Sequence, residues 1–136
     1  YQAQSLPLAV IALDIDHFKT INDSFGHDVG DAVIVSLATL MQQDLRADAA
    51  LCRSGGEEFL LLLPGVSGVQ AQRIAERLRL RVESHEMGQA GRITISLGVA
   101  HWPGDASDLG AVLKQADKAL YQAKHRGRNC VVVAGA

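Results

Sequence analysis

The feature that most constrains the fold is a continuous apolar run over residues 8–13, which ends in Asp14-Ile15-Asp16. A short apolar run of this kind, closed by charged residues, predicts a strand that is buried on both faces. Other elements must therefore cover both sides of the sheet that contains it. The same strand would place two carboxylates at its carboxyl end.

The other patterns predict four more strands and four helices. Residues 50–53 and 58–63 are strand-like and flank the turn Ser54-Gly55-Gly56-Glu57, which predicts a hairpin. Strands are also predicted over residues 92–100 and 130–133. Apolar periodicity and capping residues predict helices over 18–25 (a short helix or turn), 28–45, 67–82 and 107–124. The order β-α-α-β-β-α-β-α-β favours an α+β fold of the ferredoxin-like or palm type, with a central antiparallel sheet of about five strands flanked by helices.

Length and charge limit the classes of function. The chain has 136 residues and a net charge of −2, which fits one domain over residues 1–136 and argues against binding to long nucleic acid. No apolar stretch is long enough to cross a bilayer, so we expect no membrane contact by this fragment. Because the chain starts at Tyr1, we expect the C-terminal catalytic part of a longer, cytoplasmic protein, which absent upstream segments could tether to a membrane. Cys52 and Cys130 lie in apolar strand-like runs and are predicted to be reduced core residues.

Carboxylates stand at two predicted strand junctions. Asp14 and Asp16 follow the first strand, and Glu57 and Glu58 lie on the glycine turn. If these strands are neighbours, the acids converge, and a divalent cation with oxygen ligands relieves their repulsion. Mg²⁺ commonly combines one or two carboxylates with substrate phosphates, which points to a nucleotide. The alternative is that the aspartates cap a helix and the glutamates are solvated.

Glycines and cations extend this pattern. Gly55 and Gly56 would let the backbone approach a ligand closely. Lys19, Lys124 and Arg128 could hold a triphosphate. Lys124 and Arg128 could equally interact with the dipole at a helix C-terminus.

Four blocks of the sequence resemble the signatures of the GGDEF family of diguanylate cyclases, in family order. They are residues 14–31 (DIDHFKTINDSFGHDVGD), 53–59 (RSGGEEF, the GGEEF variant), 95–99 (ISLGV), and 116–124 with 127–129 (ADKALYQAK and GRN). The resemblance covers nearly the whole chain. It implies a domain that condenses two GTP molecules into cyclic di-GMP and two pyrophosphates.

The resemblance also implies residue roles. Asp14, the backbone carbonyl of Ile15, and Glu57 would bind two Mg²⁺ or Mn²⁺ ions, and Glu57, Glu58, Asp14 and Lys124 would be the catalytic residues. The residues implied in GTP binding are Asn22 and Asp31 for guanine, Lys19, Lys124 and Arg128 for phosphates, the backbone around His17 and Phe18, and Gly55 and Gly56. By themselves, Asn22 and Asp31 could also be helix caps.

Three further expectations follow from the resemblance. The active species would be a homodimer, because one domain presents one GTP site, and an upstream sensor or regulatory domain would control it. The alternative function is a non-catalytic GTP- or cyclic di-GMP-binding regulatory module. The family's inhibitory product site, Arg-x-x-Asp, is degenerate here: Arg46 is present, but Ala49 takes the aspartate position, and Arg77 matches an assisting arginine that could also be a surface charge.

Overall fold

Over the residues that the structure describes, the chain folds into five strands and four α-helices in the predicted order. The computed structural model describes residues 7–102 and 108–135. The strands are β1 (Leu8–Ile15), β2 (Ala50–Arg53), β3 (Glu58–Pro64), β4 (Ile95–Trp102) and β5 (Val131–Val133), and the α-helices are α1 (Phe18–Phe25), α2 (His27–Asp44), α3 (Gly68–Glu83) and α4 (Leu109–His125). Asp108 caps α4 by accepting a hydrogen bond from the Ala111 N–H, whereas Ser107, the predicted start of this helix, lies outside the described residues. Within the described ranges, every helix is too short or too polar to span a bilayer.

The sheet has the order β2-β3-β1-β4-β5, with β1 in the centre. β1 is antiparallel to both neighbours, and its register pairs Asp14 with Glu58 on β3 and with Ser96 on β4. This arrangement confirms the predicted α+β fold. One pair differs from the antiparallel expectation: β5 runs parallel to β4, because α4 forms a crossover that returns the chain to the same end of the sheet.

Both faces of β1 are buried, as its apolar run predicts. One face packs against α2 and α3 in the larger core, through residues such as Ile11 and Leu13. The other face, with Val10 and Ala12, packs against α4. Because side chains alternate along a strand, the next residue on the α4 face is Asp14.

Two predictions on the strands are wrong in detail. β4 begins at Ile95 rather than residue 92, because its partner β1 ends at the Ile15–Ile95 pair and the ladder stops there. Cys52 is exposed rather than in the core, because β2 is an edge strand of the sheet. Cys130 is half-buried, and both cysteines are free thiols.

Candidate active site

Asp14 is a buried carboxylate at the end of the central strand. Its exposed fraction is 4%, and Lys124, which α4 brings across the same face of the sheet, forms an ion pair with its Oδ2. Burial raises the pKa of Asp14, the ion pair with Lys124 opposes that rise, and the negative charges of Glu57 and Asp16 add to it. The protein therefore holds an acid where its charge is costly, and it offsets that cost with one cation.

The turn between β2 and β3 brings two more acids to this end of the sheet. Glu58 lies directly opposite Asp14 in the antiparallel register, so both side chains point to the α4 face. The Glu57 carbonyl accepts a hydrogen bond of 3.3 Å from the Ile15 N–H, which ties the turn to the end of β1. Asp14, Ile15 and Glu57, the three predicted metal ligands, therefore lie at one junction.

Glu58 has an acidic neighbour that sequence analysis did not assign. Burial raises the pKa of Glu58, and the charge of Asp117 on α4 raises it further, as does the charge of Asp14. Asp117 lies seven residues before Lys124, which places both on one side of the helix. The alignment of Asp117 with Lys124 could have been predicted from this spacing, but its closeness to Glu58 depends on how α4 crosses the sheet.

Asp16 is as buried as Asp14 but is committed to structural bonds. Its carboxylate accepts hydrogen bonds from Ser96 Oγ at 2.6 Å, Thr94 Oγ1 at 2.7 Å and the Asn129 N–H at 3.0 Å. With three donors satisfying it, Asp16 needs no cation. The two aspartates of the first block therefore differ: one pairs with a lysine, and the other ties β1, β4 and the turn after α4 together.

Asn22 on α1 has a buried oxygen that lacks a partner. Asn22 Oδ1 makes no hydrogen bond within the described structure. The carboxamide lies so close to Gly30 of α2 that a Cβ at residue 30 would be 1.9 Å from this oxygen. Asp31, the other predicted guanine-binding residue, is adjacent to Gly30 in sequence and exposed. An unsatisfied buried acceptor in a native fold calls for an explanation, and a bound ligand would supply one.

The start of α1 is open to a ligand. His17 precedes the helix with left-handed backbone (φ 58°, ψ 34°), and no described side chain caps the N-terminus. His17 and Lys19 are exposed, and Phe18 is half-buried against Gly30. The N–H groups of the first turn are therefore available to an anion.

The two glycines of the turn are not explained by left-handed backbone. Neither Gly55 nor Gly56 has a positive φ, and a Cβ on Gly56 would meet nothing within 4 Å. Arg53 holds the turn in place by donating to the Gly56 carbonyl, from Nε at 2.9 Å and from Nη2 at 2.6 Å. Gly56 thus leaves open space beside Glu57, as the close approach of a ligand would require, whereas a Cβ on Gly55 would lie 3.7 Å from Glu58 Cβ.

Arg128 lies beyond the end of α4, one turn after Lys124. It is exposed and has left-handed backbone with φ 66°. Its N–H donates to the Ala123 carbonyl at 3.1 Å, so the chain turns back towards the helix end. The position fits both interpretations of this cation, as a phosphate ligand and as a partner of the helix dipole.

The residues of the degenerate product site lie elsewhere. Arg46 donates to Asp48 from Nε at 3.0 Å and from Nη2 at 2.7 Å, and Nη2 also donates to the Pro64 carbonyl at 3.0 Å. Pro64 is at the opposite end of β3 from Glu58, so Arg46 is at the opposite end of the sheet from Asp14. Arg77 is exposed on α3.

The donor set at the Asp14 end suits a hard divalent cation. In the part of the chain that the structure describes, no three Asp, Glu, His or Cys side chains already surround a common point. A partial set of oxygen ligands fits Mg²⁺, which completes its coordination with water and substrate phosphates.

Comparison with known proteins identifies the family. The sequence model described as "Diguanylate cyclase, GGDEF domain" matches residues 1–130. The response regulator PleD of Caulobacter vibrioides is 44% identical over 131 residues, which are 93% of this chain and 29% of that protein. The probable diguanylate cyclase DgcT of Escherichia coli K12 is 41% identical over 136 residues, which are 96% of this chain and 30% of that protein.

A solved structure agrees with these relatives. The active GGEEF domain of a diguanylate cyclase from Vibrio cholerae superposes with a TM-score of 0.93 at 36% identity, covering 99% of this chain and 87% of that one. The chain spans about a third of the length of the curated relatives it matches, so the likeness concerns one domain of those proteins. The family match and the overall superposition agree, and the chain belongs to the GGDEF domain family of diguanylate cyclases.

Proposed function

We propose that this domain condenses two GTP molecules into cyclic di-GMP and releases two pyrophosphates. The observation that carries the proposal is the ion pair between buried Asp14 and half-buried Lys124, which lies opposite Glu58 and beside the Glu57 turn at one end of the sheet. A plain structural domain would gain little by burying acids whose charged forms are disfavoured. Clustered carboxylates with shifted pKa values, such as those at this end of the sheet, are typical of sites for chemistry.

The chain's own residues divide the work. The 3′-oxygen of one GTP attacks the α-phosphorus of the other, the bond to the pyrophosphate oxygen breaks, and a reciprocal attack closes the ring. Glu57 would accept the proton of the attacking hydroxyl. Lys19, Lys124 and Arg128 hold the phosphates and offset the charge that develops on them. The unpaired N–H groups at the start of α1 contribute further donors.

Divalent metal fits the donors that are present. Asp14, the Ile15 carbonyl and Glu57 would hold Mg²⁺ or Mn²⁺, two ions per site with the substrate's phosphates. The metal would supply Lewis-acid activation of the attacking hydroxyl and neutralise the phosphates. Glu58 would support this ligand set from its place opposite Asp14.

Guanine would be read by Asn22 and Asp31. A carboxylate accepts from the N1–H and the exocyclic amine of guanine, a donor pair that adenine lacks. The partnerless Asn22 Oδ1 is the observation that supports a base at this place. A site with such buried polar groups discriminates strongly against ligands that leave them unpaired.

One domain of this size offers one GTP site, so two copies must face each other for the reaction. The active species is therefore a homodimer with a two-fold axis. The relatives are about three times as long as this chain, so they contain further segments. An upstream sensor or regulatory segment would control the reaction by bringing two of these domains together. GTP as substrate places the reaction in the cytoplasm.

The test is to fuse the chain to a dimerising coiled coil, incubate it with GTP and Mg²⁺, and separate the products by chromatography. The fused protein should form cyclic di-GMP and pyrophosphate. Glu57→Gln should abolish product, because an amide neither accepts the proton nor binds metal as an anion. The variant should keep its unfolding temperature, since the Glu57 side chain supports no described hydrogen bond.

Glu86→Gln is the matched control. Glu86 is an exposed acid that pairs with Arg92 through a contact of 3.2 Å, so the same chemical change there should leave turnover intact. Full turnover by Glu57→Gln would contradict the assignment. Binding of GTP without any product in the fused dimer would favour the regulatory module instead.

A further inference from the structure

The turn after α4 has an unusual backbone. Three consecutive residues have positive φ: Gly127 at 115°, Arg128 at 66° and Asn129 at 47°. Residues with a Cβ seldom adopt this region, and they stay there only when their surroundings hold them. A helix end commonly needs one such residue, so a run of three calls for a separate cause.

Asn129 makes bonds that hold this turn. Its N–H donates to Asp16 Oδ2 at 3.0 Å, its Nδ2 donates to Glu83 Oε2 at 2.7 Å, and its Oδ1 accepts from Arg79 Nη1 at 3.0 Å. Both ends of the carboxamide are thus engaged by α3, while the backbone is engaged by the end of β1. An aspartate or leucine of similar size could make only part of this set.

The anchors are themselves fixed. Asp16 is 5% exposed and also accepts from Thr94 and Ser96, so it cannot follow a moving turn. Arg79 is held by Glu76 on the same helix, with Nε at 2.9 Å from Oε1. The turn is therefore fastened to β1, β4 and α3, three elements that pack around the same core.

We infer that Asn129, whose carboxamide is held by Glu83 and Arg79 of α3 and whose N–H is held by Asp16, is a positioning residue that fixes Arg128 for the triphosphate. The inference rests on the proposed function, because it takes Arg128 to be a phosphate ligand. Arg128 lies between the anchored Asn129 and the Ala123 carbonyl, which accepts its N–H, so its backbone is held on both sides. Its long side chain then starts from a fixed direction, and less entropy is lost when it meets a phosphate.

The experiment is a double-mutant cycle read by calorimetry on the whole chain. The probe is guanosine 5′-α,β-methylene triphosphate with Mg²⁺, which cannot release pyrophosphate, and guanosine monophosphate serves as a ligand without the outer phosphates. Arg128→Ala should weaken binding of the triphosphate analogue roughly tenfold, as expected for a lost hydrogen bond to a charged group. It should leave the monophosphate nearly unchanged.

Asn129→Gly is the second arm. Glycine accepts the left-handed backbone without strain but removes both side-chain bonds to α3. The turn should then be loose, so triphosphate affinity falls several-fold, and adding Arg128→Ala should cost little more. Such non-additivity is the signature of one residue acting through another.

If the Asn129→Gly variant does not fold, an exchange of the hydrogen-bond donor and acceptor between residues 83 and 129 still tests the inference. Asn129→Asp alone should lose affinity, because two carboxylates would face each other at residues 83 and 129. Adding Glu83→Gln to Asn129→Asp reverses the donor and acceptor of this bond and keeps the bond to Arg79. The double variant should therefore bind the triphosphate with an affinity within about twofold of that of the unmodified chain.

Three results would overturn the inference, and they are distinguishable. If Arg128→Ala weakens triphosphate binding equally in the unmodified chain and in the Asn129→Gly variant, Arg128 acts alone and Asn129 positions nothing, while the proposed function stands. If Arg128→Ala has no effect in the unmodified chain, the phosphate role itself fails. Failure of the exchange between residues 83 and 129 to restore affinity would also reject the role of the carboxamide.

Discussion

Asp14 carries a buried charge at the end of β1, where ionisation costs the folded protein stability. Its pKa is raised, so the folded state holds a proton more tightly than the unfolded chain does. The stability that this proton provides is complete below the ordinary value of 3.8 and is lost as pH rises through the folded pKa. At neutral pH the buried charge therefore costs stability, even with Lys124 beside it.

Removal of that charge should stabilise the metal-free protein. We expect Asp14→Asn in EDTA to unfold roughly 2–5 °C above the unmodified chain at pH 7. The difference should shrink as pH falls towards 4, because the carboxyl becomes protonated in the unmodified chain as well. Scanning calorimetry of both proteins between pH 7 and pH 4 tests the sign of the difference in unfolding temperature and how it changes with pH. A constant difference at all pH values would mean that ionisation of Asp14 is not its cause.

Gly30 allows Asn22 to lie where it does. A Cβ at residue 30 would overlap Asn22 Oδ1, so Gly30→Ala must turn the carboxamide away. Stability should change little, because alanine favours the helix by about 1 kcal/mol and offsets the displacement. Guanine nucleotide affinity should fall roughly tenfold, as for loss of a buried polar pairing. Calorimetry with the methylene analogue of GTP measures it.

Asn22→Ala supplies the matched background. Once the carboxamide is gone, Gly30→Ala has nothing to displace and should cost no further affinity. Additive losses would show that residue 30 acts on the ligand in another way.

At the level of elements, α4 supplies one side of the candidate site, because it carries Asp117 and Lys124 and leads into the turn with Arg128. It packs on β4 at Gly98, where a Cβ would lie 2.2 Å from the Leu120 N atom and 2.4 Å from the Ala116 O atom. Both are backbone atoms, which cannot rotate away. The close approach of helix and strand therefore depends on the missing side chain.

Gly98→Ala should accordingly be severe. We expect a loss of about 3 kcal/mol in the free energy of unfolding, since the helix must move away from the sheet. Gly110→Ala in the same helix is the control: its Cβ would have its nearest contact at 3.4 Å, and it should stabilise the fold by about 0.5 kcal/mol. Urea unfolding compares them. Equal effects would show that the helix-strand contact is not rigid.

The elements also show which features sequence could predict. Strong local patterns, such as the apolar run of β1 and the glycine turn before β3, predicted the elements and their order. The resemblance added the residues that meet at Asp14. The three bonds of Asp16, the carboxamide of Asn129 and the exposure of Cys52 were not predictable, because they depend on how distant segments pack. Thr94 and Asp16 are 78 residues apart in sequence, and nothing local links them.

At the scale of the whole molecule, the end of the sheet opposite Asp14 carries the residues of the degenerate product site. Arg46 is engaged by Asp48 and the Pro64 carbonyl, far from Asp14. The Asp48 carboxylate holds the pKa of Arg46 above its ordinary value, and Arg46 lowers the pKa of Asp48. Arg46 thus already has a local partner, and Ala49 stands where the family motif has an aspartate.

We therefore expect weak product binding outside the active site. Calorimetry with cyclic di-GMP on the purified chain should give no tight, Arg46-dependent phase. Replacing Asp48 by alanine together with Ala49→Asp should release Arg46 and restore the spacing of the family motif, tightening binding at least about tenfold. Tight binding by the unmodified chain that Arg46→Ala removes would refute this expectation.

The bond between Lys124 and Asp14 has a consequence for the order of assembly. One ammonium cannot neutralise this carboxylate and a phosphate at the same time. In the unliganded protein the lysine acts as an internal counterion, so under the proposed metal role of Asp14 a bare Mg²⁺ ion would have to displace Lys124. Mg²⁺ carried by the nucleotide would replace Lys124 at Asp14, and a phosphate would replace Asp14 at Lys124, in one exchange. We therefore expect the ion and the nucleotide to bind together rather than one after the other.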